Sequence, residues 1–561
     1  MKPVIYQVLP RLFTNVTDNC VPNGDIATNG CGKLNDYTPT LLKSIRQLGA
    51  THIWFTGIIE HASATDYSAY GIPRDNANVV KGKAGSPYAI RDYYDVDPDL
   101  AVDPVHRMDE FDALVKRVHK AGLKMIIDFV PNHVARHYQS DNNPAGVSDF
   151  GANDDVNAAF ARDNNFYYLP GQPFAPNIAT VDPEHPYAEM PARVSGNDCF
   201  TASPGQNDWY ETVKLNYGID FSNGWRHFDP IPDTWHKMLS ILRFWAARGV
   251  DGFRCDMAFM VPVEFWAWAI PALRKDYPDV LFIAEIYDVN LYHDFIHRAG
   301  FDYLYDKVNL YDTLRGIVVS NGSAAQLTGC WQRIDGLGPH MLNFLENHDE
   351  QRFASPQFAG RADIVAPALA VSAFLSTGPL MIYMAQELGE PGDDAEGFSG
   401  RDGRTTIFDY WSMPTARKWL PKRPDSPLRD LYATVMRLCN SEKAIAEGGF
   451  FDLMYVNYDN PTLNPHRHYV FFRHCGKDVI LVAVNFSGDY ADLRINIPTH
   501  AFEALGVDQP SAPVEATDLL TGQTAKKNFR ADATFDTRVG GHGAVAWKFS
   551  LPTKRKVAKK S

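Results

Sequence analysis

Long apolar runs are missing from this 561-residue chain. No stretch reaches the roughly eighteen consecutive apolar residues that a membrane-spanning helix needs, so a spanning helix is excluded. Cysteine is sparse: seven residues scattered over this length make neither a disulfide framework nor a CxxC metal-ligand spacing. Cys20 and Cys31 share one polar loop and could bridge, but the odd total points to thiols. Positive charge is also in deficit. A net charge of −13 argues against nucleic acid as a partner, because phosphate binding needs a basic surface. The one basic run, "KRKVAKKS", follows the last apolar segment and reads as a solvated tail (552–561). The start, "MKPVIYQVLPRLF", lacks the long apolar region of a secretory leader and goes straight into a strand-like run. With the thiols, this favours the cytoplasm; a periplasmic or secreted chain whose leader has been removed is the alternative. No internal repeat stands out.

The chain is too long for one ordinary core, so two or three domains are expected. Aromatic residues are plentiful at 12%; most would pack a core, and a minority would suit flat apolar ligands such as sugar rings. Short apolar runs alternate with helical patterns as far as residue 440 or so. Strands are predicted to start at Val4, Thr51, Lys124, Gly252, Leu281, Phe301, Met341 and Pro379, with helical patterns such as "DYTPTLLKSIRQLGA" and "TWHKMLSILRFWAARGV" between them. Alternating strands and helices imply a parallel sheet with right-handed crossovers. Eight such units predict an α/β fold, a (β/α)8 TIM barrel over 1–133 and 218–440. The rhythm breaks at 134–217, rich in Asn, Asp, Pro and Gly, and a loop this long should be an inserted domain after strand three. From 445 to 551 the pattern becomes alternating strands, as in "HYVFFRHC" and "VILVAVNFS", and predicts an antiparallel β-sandwich.

In such a barrel the working residues lie at the C-terminal ends of strands. Strand three ends in "DFVPNH", with Asp128, Asn132 and His133. Strand four ends in "GVDGFRCDMA", where Arg254 and Asp256, two apart, share a face while Cys255 turns away. Strand five carries Glu285 in "FIAEIY", and strand seven carries His348 and Asp349 in "FLENHD". A lone aspartate at a strand end is ordinarily a helix cap or a satisfied turn. Four such motifs in order, each at its own strand end, point to one site. Several acids in one low-dielectric pocket must have their proton affinities driven apart. Arg254 is expected to keep Asp256 ionised, and Glu285 to be the proton-bearing member. A charged carboxylate beside a carboxylic acid is what retaining glycoside hydrolysis requires.

The four motifs resemble the four signature regions of the α-amylase family (glycoside hydrolase family 13). The segments "YQVLPRLF", "SPYAIRDYYDVDP" and "VKLNYGIDF" are similar to the family's minor signatures, and the likeness runs over nearly the whole chain. The resemblance implies that Asp256 is the nucleophile of a covalent β-glycosyl-enzyme and Glu285 the acid that protonates the leaving oxygen and then activates water. It implies that Asp349 binds the 2- and 3-hydroxyls of the sugar, that His133 and His348 bind hydroxyls, and that Arg254 is the family's arginine. Tyr88 matches the tyrosine that stacks under the sugar, and Asp128 a structural partner. The implied activity is a retaining α-glucan hydrolase acting on α-1,4 bonds of starch-like oligosaccharides. The alternatives are an α-glucan transglycosylase or glucoside isomerase using the same acids, and a non-catalytic scaffold on the same barrel. The implied chemistry needs no cofactor.

The chain departs from the family's pattern at two places. Where α-amylases carry a Lys-His pair after the nucleophile, Phe259 and Met260 stand here, either as apolar surface for the leaving side or as packing. Where many members have an aspartate that binds calcium between barrel and inserted domain, Lys214 stands, and its ammonium could replace the ion, so that Asn132 need not be a ligand. Asp18, Asn23 and Asp25 offer oxygen donors for a calcium loop in "TDNCVPNGDIATNG", or form a plain polar turn. No metal ligand set is assigned, and a structural calcium stays open.

Overall fold

The computed structural model describes residues 2–551; the basic end at 552–561 lies outside the described residues. The apolar runs form strands β1 (Val4–Val8), β2 (His52–Phe55), β3 (Lys124–Phe129), β4 (Gly252–Cys255), β5 (Leu281–Ala284), β6 (Tyr303–Tyr305), β7 (Met341–Leu342) and β8 (Leu380–Tyr383). All neighbouring pairs are parallel, in the order β7-β6-β5-β4-β3-β2-β1-β8. The sheet closes where Asn343, just past β7, bridges Leu380 of β8. This is the eight-stranded barrel expected from the alternation. Strands buried on both faces read as continuous apolar runs rather than alternating ones, as in the fully buried "VIYQV" of β1. The predicted starts at Thr51, Phe301 and Pro379 precede the observed ones by one or two residues, the usual fraying of element ends.

The surrounding helices include α1 (Pro39–Leu48), α2 (Arg107–Lys120), α3 (Asp233–Ala247), α4 (Val263–Arg274), α5 (Ala366–Phe374) and α6 (Pro427–Ser441). In α1, Thr38 accepts the Leu41 N–H and Pro39 pre-sets the first turn, while Leu41, Leu42, Ile45 and Leu48 form the buried stripe. The chain leaves α1 through Gly49 at φ +122°, where a Cβ would lie 2.7 Å from Met436 Cβ of α6. Only glycine satisfies both the dihedral and that approach. Apolar on every side, α5 is buried from Pro367 to Phe374.

Between β3 and α3 the chain builds only short strand pairs: His133–Ala135 with Thr212–Lys214, Tyr168–Leu169 with Ala192–Arg193, and Ile219–Asp220 with Trp225–Arg226. Its Asn and Asp side chains satisfy backbone groups that a longer ladder would otherwise pair; Asp154, for example, accepts the N–H groups of Asn165 and Phe166. The first pair clasps the two ends of the excursion and sets His133 opposite Lys214.

The C-terminal part is the expected antiparallel β structure. Strands β9 (Gly449–Asp452), β10 (His468–Cys475), β11 (Asp478–Asn485), β12 (Val514–Asp518), β13 (Thr524–Lys527) and β14 (Gly543–Ser550) run in the order β9-β10-β11-β14-β12-β13, beside a separate pair, Ala491–Ile495 with Phe535–Val539. One continuous apolar core joins this sheet to the barrel. All seven cysteines are free: Cys20 Sγ lies against Ser412 and Cys31 Sγ against the Asp99 carbonyl, so the two do not bridge. Among the described residues no helix is long and apolar enough to cross a membrane.

Candidate active site

Strand register assembles the barrel mouth. Arg254 of β4 is the register partner of Asp128 on β3 and of Ile283 on β5, two residues before Glu285. Its side chain is fully buried, and its Nη1 lies 2.9 Å from Asp256 Oδ1 and 3.2 Å from Asp128 Oδ1, while Nη2 lies 2.8 Å from Glu285 Oε2. The rings of Trp54, Tyr88 and Tyr305 surround the guanidinium. The Arg254–Asp256 contact that the spacing of two predicts is present, and the same arginine serves two further carboxylates. Burial pushes the Asp256 carboxyl well above the usual carboxylate range; Arg254 opposes the rise, and Glu285, Asp128 and Asp349 add to it. The same guanidinium thus opposes, for three neighbouring acids at once, the desolvation that disfavours their charged forms.

Glu285, expected to be the proton-bearing member, is surrounded by donors. Its Oε2 accepts the Met257 N–H at 2.8 Å and its Oε1 the Tyr287 hydroxyl at 2.5 Å. Met257, directly after Asp256, adopts φ +43° and ψ +42°, a left-handed conformation that costs a non-glycine residue about 1–3 kcal/mol. That turn aims its N–H at Glu285, so the strain sits where it orients a carboxylate.

Asp256, Glu285 and Asp349 line one cavity of about 390 Å³, together with Tyr88 and His133. Burial raises Asp349, but His348, with Arg254 and Arg404 beyond it, brings its carboxyl down to about 2. His348 Nε2 lies 3.0 Å from Asp349 Oδ2 and 2.5 Å from the Tyr88 hydroxyl, and its Nδ1 lies 2.8 Å from Gln7 Nε2 of β1. Tyr88 stacks on the His348 ring, centroids 5.3 Å apart. Burial, aided by Lys214 and Lys81, lowers His133 to about 3, so it is a neutral imidazole at ordinary pH. Arg254 and His348 stand behind the lining and orient it. Asp128 also stands behind it, held by Arg254 and by the Trp54 indole N–H at 3.1 Å. A larger cavity of about 590 Å³, between the helix Gln326–Arg333 and the C-terminal sheet, contains none of these residues.

The places considered for calcium resolve differently. Lys214 Nζ donates to Asn132 Oδ1 at 2.8 Å and lies 2.5 Å from Asp198 Oδ1, so an ammonium occupies the position between barrel and insertion and these residues do not fit a calcium ion. Lys214→Met should leave Asn132 and Asp198 without their cation. With Asp198 partly exposed, we expect a loss of about 2–4 kcal/mol, measured as a lower midpoint in urea with the m-value unchanged. The N-terminal segment is a polar turn: Asp25 caps the short helix Ile26–Asn29 and Asp18 pairs with Arg417. Elsewhere, Glu60, Asp92, Asp95 and Asp141 place ligand atoms within 4.8 Å of one another. Arg91 lies 2.6 Å from Glu60, and Arg107 2.6 Å from Asp95, which compensates half of that charge.

Sequence reasoning missed several cavity residues: Lys81, Trp209, Glu211, Tyr287, Arg404, Ile407 and Phe408. Trp209 lies in the aromatic patch "NDWYE" and packs its ring 5.1 Å from His133. Tyr287, two residues past Glu285, had a local signal in that spacing. The Lys81–Glu211 pair, 3.0 Å apart, joins distant segments and had none. Phe259 packs edge-on against Tyr287, centroids 6.1 Å apart, and does not line the cavity.

Residues 7–282 match the model of the α-amylase catalytic domain. The chain therefore carries a catalytic domain of the α-amylase family, glycoside hydrolase family 13. It is 24% identical to a cyclomaltodextrin glucanotransferase of Bacillus licheniformis, over 97% of this chain and 69% of that protein. It is 26% identical to the human amino acid transporter heavy chain SLC3A1, over 52% of this chain but only 33% of that protein. An α-amylase from Geobacillus thermoleovorans, solved with acarbose, shares the fold at TM-score 0.62 and 18% identity, covering 99% of each chain.

Proposed function

We propose that this protein is a retaining α-glucan hydrolase of α-amylase type, cleaving α-1,4-glucosidic bonds by double displacement. The observation that carries the reading is one guanidinium gripping Asp256 and Glu285 at the wall of a single cavity that Asp349 also lines. In the first step the ionised form of Asp256, which Arg254 favours, attacks the anomeric carbon while the acid form of Glu285 passes its proton to the departing glycosidic oxygen. That leaves a β-glycosyl ester on Asp256 and a carboxylate on Glu285. In the second step Glu285 takes a proton from water, and the resulting hydroxide equivalent displaces Asp256 with overall retention. Asp349, charged in this setting, accepts hydrogen bonds from sugar hydroxyls, and neutral His133 has one ring nitrogen to donate and one to accept.

Similarity to a cyclomaltodextrin glucanotransferase over almost the full chain supports a second reading, in which a sugar hydroxyl replaces water as acceptor. The same three acids serve both. Incubation with maltoheptaose, with products resolved by length, separates the two. Shorter products alone, first released as the α-anomer, support the hydrolase. Longer or cyclic products support transfer, and an unchanged substrate overturns both.

A further inference from the structure

The two oxygens of Glu285 are held in different ways. Oε2 receives the Met257 N–H at 2.8 Å and faces Arg254 Nη2 at 2.8 Å. An amide N–H and a guanidinium can only donate, so neither can receive a proton borne by Oε2. Among the described residues Oε1 has one partner, the Tyr287 hydroxyl at 2.5 Å. A phenol both donates and accepts, and the Tyr287 ring lines the same cavity. Phe259 packs against that ring edge-on.

We infer that Oε1 is the oxygen through which Glu285 exchanges its proton, and that Tyr287 is the positioning residue that serves both states of that oxygen. The inference rests on the glycosidase reading above. In the acid form the Oε1–H bond points to the phenol oxygen or to the leaving group. When the proton leaves with the glycosidic oxygen, the phenol turns and donates to the new carboxylate. When water is deprotonated in the second step the proton returns to Oε1 and the phenol reverts to acceptor. No proton is gained or lost by Tyr287 itself, and burial, together with Glu285 and Asp349, pushes its hydroxyl well above the ordinary tyrosine range, which keeps it a neutral phenol throughout. The charged and titratable groups facing Glu285 are Arg254, Asp256 and Asp128 from β4 and β3, Tyr305 from β6, and Tyr287. Only Tyr287 combines contact with Oε1 and the ability to switch roles.

Tyr287→Phe keeps the ring and removes the switch. The expected result is a fall of about tenfold in kcat for maltoheptaose, the worth of one hydrogen bond to a charged group. With α-maltosyl fluoride, whose leaving group departs without a proton, the glycosylation rate should stay within about twofold of the parent. The alkaline limb of kcat/KM should move to higher pH, because the lost donor had favoured the carboxylate over the acid. Equal losses on both substrates, or an unmoved alkaline limb, would overturn the inference and leave Tyr287 a packing residue. A parent protein that cleaves neither substrate overturns the glycosidase reading instead, so the two failures are distinguishable.

Discussion

Glu285→Gln should reduce cleavage of maltoheptaose by about 10²–10⁴-fold, the contribution of a positioned acid and base. The amide is nearly isosteric with the carboxyl and can still meet the Tyr287 hydroxyl and the Met257 N–H, so the fold should survive. It cannot release a proton to the glycosidic oxygen or take one from water. Because the loss is chemical, it should fall mainly on kcat, with KM little changed. An activated glycosyl fluoride should show a burst of fluoride followed by slow turnover, since the first step no longer needs the acid and the second still needs the base. A Glu285→Gln protein that cleaves maltoheptaose at the parent rate would remove Glu285 from the mechanism and end the proposed function.

The second large effect is expected on stability. Arg254→Met takes away the one guanidinium that, among the described residues, pairs with Asp128, Asp256 and Glu285, all of which are nearly fully buried. Removing one partner from a buried ion network costs about 3–5 kcal/mol, because the remaining charges are left in a medium that solvates them poorly. The sign of the pH dependence follows from Asp128 and Asp256, which burial already raises above the ordinary carboxylate range against the pull of Arg254. Without the arginine both rise further. Acids whose native affinity for protons exceeds the unfolded value contribute most below the unfolded value, and that contribution is lost as pH climbs through the native one. The stability gap between Arg254→Met and the parent should therefore be small near pH 4 and widen towards pH 8, as read from urea midpoints across that range. A gap that does not vary with pH would mean that the three acids do not depend on Arg254 for their charge.

Much of the fold was legible because its signals are local. A buried parallel strand must be apolar on both faces and a covering helix on one, so the alternation could be counted from "VIYQV" to "LMIY" without coordinates. The four motifs were legible for the same reason, since each occupies the end of its own strand. The electrostatics were not. That Arg254 and Asp256 share a face follows from a spacing of two; that Arg254 also meets Asp128 and Glu285 depends on the relative register of three strands far apart in the chain. An argument restricted to one strand finds the nearest acid, Asp256, and cannot see the other two.

Sequence by itself determined the order of strands and helices and the four clusters of polar residues at strand ends, because each is a property of neighbours along the chain. Tertiary structure alone decided that one guanidinium is divided among three acids, that Tyr287 reaches Oε1 of Glu285, and that the Lys214 ammonium lies between Asn132 and Asp198. The physical reason is range. Periodicity is written into consecutive residues, whereas the balance of charge in a buried site is a sum over segments that only folding brings within a few ångströms of one another.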